Sequence, residues 1–387
     1  MAAEPSSEQF ERIDWESLDG GRWRVAARTK AFLLGTAALA VLFCYDLLVL
    51  TRQEELVQWW DLTRIDWLFV LSLLALFCYV VVPLATNREQ TRRYWRRLRS
   101  NRAALASFVF LVAFFLVGTV GSMVYYPDIE FAHAKQPPLL FPVDDAYALH
   151  CLGGESNGLC HGTWRYPLGT NADGKGVLRL IVAGTRVSLV VALVTSMIIV
   201  PLATGVGLLA GYRGGWVDDL LMGYVDVQQT VPAFVIYLVT IFLFHSSLFL
   251  VVVVFGLTSW GSAARLVRSE VLQRREEPYV VAARNAGASD RFIIRNHILP
   301  NVSSTVVTAV TRQIPTLLLA EAAIAYMELN DIMVQSFGET IAHGLRQNWQ
   351  TVWWSSVFPV AAFALLVVSV SVFGDALRDV LDPRGEV

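Results

Sequence analysis

Lysine is almost missing from this 387-residue chain: Lys30, Lys135 and Lys175 are the only ones among 31 basic residues, a bias of genome composition rather than of function. Charge of any kind is scarce, 17% of residues, whereas 55% are hydrophobic and the mean hydropathy is +0.49. That balance excludes an ordinary soluble protein and predicts an all-α polytopic membrane protein. Residues 1–30 hold no apolar core followed by a small-residue cleavage site, so no signal peptide is expected. The four cysteines do not form the closely spaced pairs of usual structural zinc sites. A nucleotide-binding loop is missing too. Gly169–Gly176, GTNADGKG, nearly matches one, but Gly176 stands where a Ser or Thr would hold magnesium, and no buried strand precedes it. Nor is there a nucleophile–base constellation in the basic loops. These absences predict a chain that is not an enzyme and that carries no cofactor or metal. The net charge of −2 hides segregated arginines, and nothing in it points to nucleic acid.

What is present is a series of apolar runs. Ala31 to Leu50 is long enough to span a bilayer, and Arg22, Arg24, Arg28 and Lys30 before it place its start in the cytoplasm. Asp46 near its far end is expected to snorkel. Trp67 to Ala85 returns to NREQTRRYWRRLRSNR, residues 87–102, a basic loop that fixes topology and touches anionic lipid. Ala103 to Tyr125 crosses outward again. Further spans are expected over Gly184–Gly211, Val217–Phe244 with a bend at Pro232, Leu248–Ala264, Val302–Tyr326 and Val352–Phe373. Eight spans place both termini and every basic cluster in the cytoplasm. Ala203, Gly207 and Gly211 form a stripe that lets another helix approach closely. The expected divisions are a tail 1–30, two extra helices in 31–87, a basic loop with the first core helix in 88–125, an external loop 126–183 and a core 184–387.

Inside the external loop, His150-Cys151 and Cys160-His161 bracket a Gly-rich stretch. Four such ligands could hold zinc, but the spacing is unusual for it, and an external compartment permits oxidation. A Cys151–Cys160 disulfide is the preferred reading. Cys44 and Cys78 are expected to be reduced filler within the membrane.

Pro278 to Asn301, PYVVAARNAGASDRFIIRNHILPN, is a polar island between apolar runs. Helix formers from Tyr279 stop at Gly287, which suits a left-handed turn. Ser289 and Asp290 can cap a second helix, carrying Arg291, Arg295 and His297, that is expected to end at Leu299-Pro300. Val281-Ala282-Ala283, then Gly287, then Leu299-Pro300 twelve and thirteen residues later resembles the signature of inner-membrane permease subunits of ABC importers. Tyr279-Val280, Asn301 and the ending GDALRDVLDPR resemble the C-type permease of dipeptide, oligopeptide and nickel systems. The resemblance runs from about Arg99 to Arg384, leaving the first two spans outside it. Val281 departs from the family's Glu, Asn171, Lys175 and Gly176 depart at polar positions of the external loop, and Ile324–Asn330 matches weakly.

The resemblance implies a type I importer permease core of six transmembrane helices, here with two extra N-terminal helices, in a prokaryotic cell membrane. It implies a second permease subunit, two ATP-binding subunits, an external solute-binding protein and membrane lipid as partners. Residues 277–298 would then dock on the ATPase, with Tyr279, Ala282, Ala283, Gly287, Arg291, Arg295, Leu299 and Pro300 as the docking set, and the cargo would be di- or oligopeptides. Secondary transporters, or a membrane-anchored structural or sensory protein, are the alternatives from other classes; the first would carry inverted repeats. Three intramembrane charges complete the reading. Arg312 lies about 18 Å along its helix from Pro300, near mid-membrane, and Asp226 lies at a similar height, so the two are expected to pair. Glu321, nine residues beyond Arg312, should face the opposite way.

Overall fold

The computed structural model describes residues 27–48, 63–121, 129–331, 334–347 and 350–381. The expected tail 1–30 lies outside them up to residue 26, as does the end of the chain from residue 382.

Helices α1 (Ala27–Leu48) and α2 (Arg64–Thr86) form a hairpin, its members locked by Leu74 packing over Gly35 and by Trp67 Nε1 donating to Asp46 Oδ2 at 3.3 Å. Asp46 therefore has a partner within the hairpin instead of snorkelling. A short basic helix α3 (Arg88–Ser100) follows, held to the bundle by Leu98 and by Trp95 set edge-on to Phe108. Asn101 then caps α4 (Arg102–Gly121), accepting from the amides of Ala103 and Ala104.

After the loop comes α5 (Val177–Arg213), 37 residues long, which begins seven residues before the expected end of the external loop. Next are α6 (Gly215–Thr230) and α7 (Ala233–Phe244), bent by 72°. The bend falls where Pro232 withholds its N–H. Helix α8 (Leu248–Thr258) continues through α9 (Gly261–Arg275), then α10 (Pro278–Asn285) and α11 (Asp290–Ile293) lead into α12 (Leu299–Tyr326). The short α13 (Phe337–Arg346) and α14 (Trp354–Leu381) close the described chain.

Among the described residues six helical segments are long and apolar enough to cross a membrane, and the bent pair α6–α7 makes up to seven. The expected eighth, α12, is 28 residues long, roughly 42 Å at the usual rise. Its serines, threonines, Arg312, Gln313 and Glu321 make it too polar to count on hydropathy, and it packs between α5, α9, α13 and α14.

The core is built on close backbone approach. A Cβ added to Gly207 would lie 2.6 Å from the carbonyl oxygen of Ala264, and one on Gly211 would lie 2.8 Å from Val271 Cβ. Only a small-residue stripe permits α5 and α9 to lie this close, and in lipid such packing replaces the missing hydrophobic drive between helices. At the other end Gly338 of α13 sits so tightly on α12 that a Cβ would meet the Ala322 carbonyl oxygen at 2.0 Å.

The α1–α2 hairpin is joined to this core by one ion pair. Asp66 Oδ2 accepts from the Thr63 amide and hydroxyl at 3.0 and 2.6 Å, and Asp66 Oδ1 takes Arg186 Nη2 of α5 at 2.5 Å. The Asp66 and Arg186 side chains are only 10% and 19% exposed, and the guanidinium lies 5.5 Å from the Phe69 ring centre. A buried pair costs most when half of it is removed, because a charge is stranded; breaking one is worth about 3–5 kcal/mol. Asp66→Leu should therefore lower the thermal-unfolding midpoint sharply, and Asp66→Leu combined with Arg186→Leu should restore most of it. An additive double variant would show that the pair does not join hairpin to core.

Candidate functional site

The polar island forms a helix–turn–helix at the arginine-rich end of the bundle. Pro278 opens α10 after Glu277, as suits a residue with no N–H to satisfy. Gly287 ends the helix with φ +86° in open space, so the constraint there is conformational and not steric. Ser289 Oγ then accepts from the Phe292 amide at 3.3 Å and caps α11. Val280, Ala283, Ala288, Ile293 and Ile298 are buried against the bundle. Tyr279, Val281, Ala282, Gly287, Arg291, Arg295, Leu299 and Pro300 are exposed. Ala283 thus leaves the expected docking set, since it faces the bundle.

The second helix does not end at Leu299-Pro300. A π turn over Ile294–Ile298, in which the Leu299 amide reaches Ile294 O, carries it straight into α12. The wider turn absorbs the backbone disturbance of Pro300, which has no N–H to give. Two ties escaped the sequence. Tyr212 at the end of α5 donates its hydroxyl to Asp290 Oδ1 at 2.7 Å, and Asn301 Nδ2 donates to His297 O at 2.7 Å and lies 3.4 Å from the Tyr279 hydroxyl. The aromatic and the amide gave no periodic signal, and only the folded chain brings Tyr212 across 78 residues to Asp290.

Arg312 and Asp226 are not paired. Asp226 accepts from Arg265 of α9 at 2.5 Å, and eight residues earlier on α6 Asp218 takes Arg268 through both oxygens at 2.5 Å. Two turns of α6 thus run beside one turn of α9. Arg312 Nε instead lies 3.9 Å from Asp375 Oδ1, with side chains 57% and 72% exposed. The reason is depth. A Cβ on Gly374 would touch Thr311 Cγ2 at 3.2 Å, and Gly374 follows the apolar run of α14 that stops at Phe373. Thr311 and Arg312 are therefore level with the end of that run, and the first three turns of α12 project beyond it. Counting turns from Pro300 overestimated the depth.

Glu321 does face away from Arg312. It is 2% exposed at the opposite end of α12, near Ser336, which caps α13 by accepting from the Glu339 amide at 3.3 Å. Around this cap the loop and α13 build a polar cluster. Lys175 Nζ donates to Gln335 Oε1 and Gln335 Nε2 to Glu339 Oε1, both at 3.1 Å, while His343 Nε2 lies 3.2 Å from Asp173 Oδ2. Asn171 Oδ1 accepts from the amides of Asp173 and Lys175. Of the residues that depart from the family pattern, Asn171 holds the loop turn from within, and Lys175 ties it to Gln335 in the segment that leads into α13. Ser336-Phe-Gly-Glu339 has the spacing of a capping box and could have flagged this helix in the sequence.

The loop itself is pinned by fully buried Gln136, whose side chain donates to His150 O at 2.6 Å and accepts from the Leu152 amide at 3.1 Å. Three short strands, Val143–Asp144, Glu155–Ser156 and Leu159–Cys160, form an antiparallel sheet with the last in the middle. Cys151 and Cys160 are joined by a disulfide with Cα atoms 5.6 Å apart, and His161 Nε2 lies 2.6 Å from Ser156 Oγ. Among the described residues no group of three His, Cys, Asp or Glu is placed to hold a metal.

Comparison with known proteins places this geometry. Residues 203–386 match the model of the binding-protein-dependent transport system inner membrane component, and residues 89–138 match that of the N-terminal TM domain of oligopeptide transport permease C. The oligopeptide transport system permease protein of Mycobacterium bovis is 31% identical over 298 residues, 74% of this chain and 92% of the relative. The dipeptide transport system permease protein of Bacillus subtilis is 28% identical over 295 residues, 76% and 86% of the two chains. A solved structure of the MetNI methionine ABC transporter, in inward-facing conformations, matches with a TM-score of 0.42 at 20% identity, covering 52% of this chain and 97% of that one, too distant to add to these.

Burial pushes the Glu339 carboxyl up to about 7, against the lowering effect of Lys175 and of hydrogen bonds from the Ser336 backbone and Gln335. A carboxyl that binds its proton more tightly when folded stabilises below its unfolded value, and that stability is lost as pH rises through the folded value. Between pH 5 and pH 8, α13 should loosen by about 1–2 kcal/mol after allowing for its partial exposure. Amide hydrogen exchange over residues 337–346 measures it. Glu339→Gln should remove the difference; a variant that keeps it would assign the titration to another group.

Proposed function

Because the chain belongs to the family of binding-protein-dependent transport system inner membrane components, and within it to the C-type permeases of dipeptide and oligopeptide systems, we propose that it forms half of the translocation pathway of an ATP-driven peptide importer. The observation that carries this is the exposed α10–Gly287–α11 turn, at the end of the bundle that also bears the arginines of α3. By the positive-inside rule that end is cytoplasmic, as are both termini, and the disulfide-bearing loop is external. The turn then faces an ATP-binding subunit, and the loop faces a solute-binding protein. The partners are a second permease subunit, two ATP-binding subunits and that binding protein. Catalysis belongs to the ATP-binding subunits, and this chain transmits it.

Transmission has a physical route. The exposed docking residues ride on a helix that runs unbroken into α12, and Tyr212–Asp290 ties the same element to α5. Packing at Gly207 and Gly211 makes α5 and α9 one body, and Arg268–Asp218 carries that body to α6, whose break from α7 at Pro232 is the flexible point of the set. A push on the turn therefore moves α5, α9 and α12 together against the bent span.

Gly287→Val tests this reading. A β-branched residue at φ +86° costs on the order of 1 kcal/mol or more and shifts the turn. Membrane insertion should survive while co-purification of the ATP-binding subunit and uptake are lost; normal uptake by this variant would sink the proposal. Tyr212→Phe should keep ATPase binding but lower binding-protein-stimulated ATP hydrolysis several-fold, since a hydrogen bond to a charged group is worth up to about 1.5–3 kcal/mol and this one is half-exposed.

A further inference from the structure

At the basic end a cleft of about 330 Å³ opens between α9, α12 and α14. Three guanidinium groups line it, Arg274, Arg312 and Arg378, together with the hydroxyls of Ser304 and Thr308 and one carboxylate, Glu270. Glu270 is already taken by Arg274 at 2.8 Å, one helical turn away. Arg312 meets Asp375 only at 3.9 Å, beyond hydrogen-bonding distance and on an open surface. The cleft is therefore positive, and its donors converge from three helices.

Position and chemistry together select the ligand. The Thr311–Gly374 contact puts Arg312 level with the end of the apolar run of α14, which is the level of headgroup phosphates in any bilayer that run spans. Planar guanidinium forks match phosphate oxygens two at a time, and the Ser304 hydroxyl can serve another; the Thr308 hydroxyl already donates to Ser304 O at 2.9 Å. Leu266 and Leu381 add an apolar margin on which a glycerol and its first methylenes can lie.

We propose that this cleft is a phosphate site, occupied by the headgroup of an anionic phospholipid or by a soluble phosphate. It differs from the general attraction of the α3 arginines for a charged surface, because here the donors line one cleft. The site stands whether or not the transport reading holds, since its test reads binding and not uptake.

The full chain, with whatever subunits co-purify with it, is reconstituted in nanodiscs of phosphatidylcholine with and without phosphatidylglycerol, and retained lipid is counted by native mass spectrometry. A parallel titration with inorganic phosphate follows the thermal midpoint. Arg312→Gln with Arg378→Gln should weaken binding about 10- to 100-fold, as expected for losing two contacts of about tenfold or less each on an open surface. Arg312→Lys with Arg378→Lys should fall between, since that pair keeps charge and loses the fork. Arg92→Gln with Arg93→Gln on α3 should leave binding unchanged. Phosphatidylglycerol retained by the wild type, lost from the Gln variant and not displaced by inorganic phosphate identifies a lipid headgroup. Stabilisation by inorganic phosphate without the lipid, lost in the same variant, identifies a soluble ligand. Equal retention by wild type and a Gln variant that elutes as a folded complex overturns the proposal, as does an equal loss in the α3 variant.

Discussion

The distance between α5 and α9 is fixed by backbone meeting backbone, at Gly207 against the Ala264 carbonyl, and most other features take their positions from that contact. Lipid offers no hydrophobic gain for bringing two apolar helices together, so close van der Waals approach has to supply the attraction. Once α9 lies in that groove, Arg268 reaches Asp218 and Arg275 reaches the Gly211 carbonyl at 3.0 Å. The amphipathic α6 is held, and a guanidinium from the last turn of α9 satisfies a carbonyl in the last turn of α5. The same device recurs at the opposite end, where Gly338 on Ala322 and Gly184 under Phe337 seat α13. A short helix with no membrane-crossing length of its own is thereby fixed beside Glu321.

Features that depend on neighbours in the chain were legible before folding. The apolar runs, the small-residue stripe, the left-handed turn at Gly287 and the cap at Ser289 follow from local chemistry. Lengths were harder to read. The apolar run beginning at Leu248 stops at Ala264, yet the helix continues to Arg275, because Arg265 and Arg268 find carboxylates on α6. Partner-dependent features were invisible for the same reason. Asp66 reads locally as the fourth residue of a capping box begun by Thr63, which hides its second partner, Arg186, 120 residues away. Arg312 was placed too deep because a sequence shows how far a residue is from a proline but not where the bilayer begins relative to it.

The hairpin α1–α2 acquires a meaning from this. An arginine two turns into α5 would face lipid without it, at a cost of at least roughly 2.5 kcal/mol if near the centre. With α2 in place the charge is paired, shielded by Phe69 and nearly out of contact with solvent. The second of the extra spans thus takes part in the electrostatics of the core through Arg186.

Helix α12 joins the two ends of the molecule. It begins as a continuation of α11 and, roughly 42 Å later by its residue count, ends beside the cap of α13. A rod of that length transmits a displacement only where it is stiff. Its two prolines, Pro300 and Pro315, mark the places where it is not. Pro300 falls at the π turn, where Asn301 and the Tyr279 contact brace it from outside. Pro315 falls between Arg312, level with the end of the apolar run, and Glu321, buried near the loop. Motion of the docking element in the proposed reading therefore reaches Arg312 with little loss, and bends the rod beyond it. Glu321, one residue before the Ala322 carbonyl on which Gly338 of α13 is seated, is where that bending must be felt, because the loop cluster of Lys175, Gln335 and Glu339 is anchored to the cap of the same short helix.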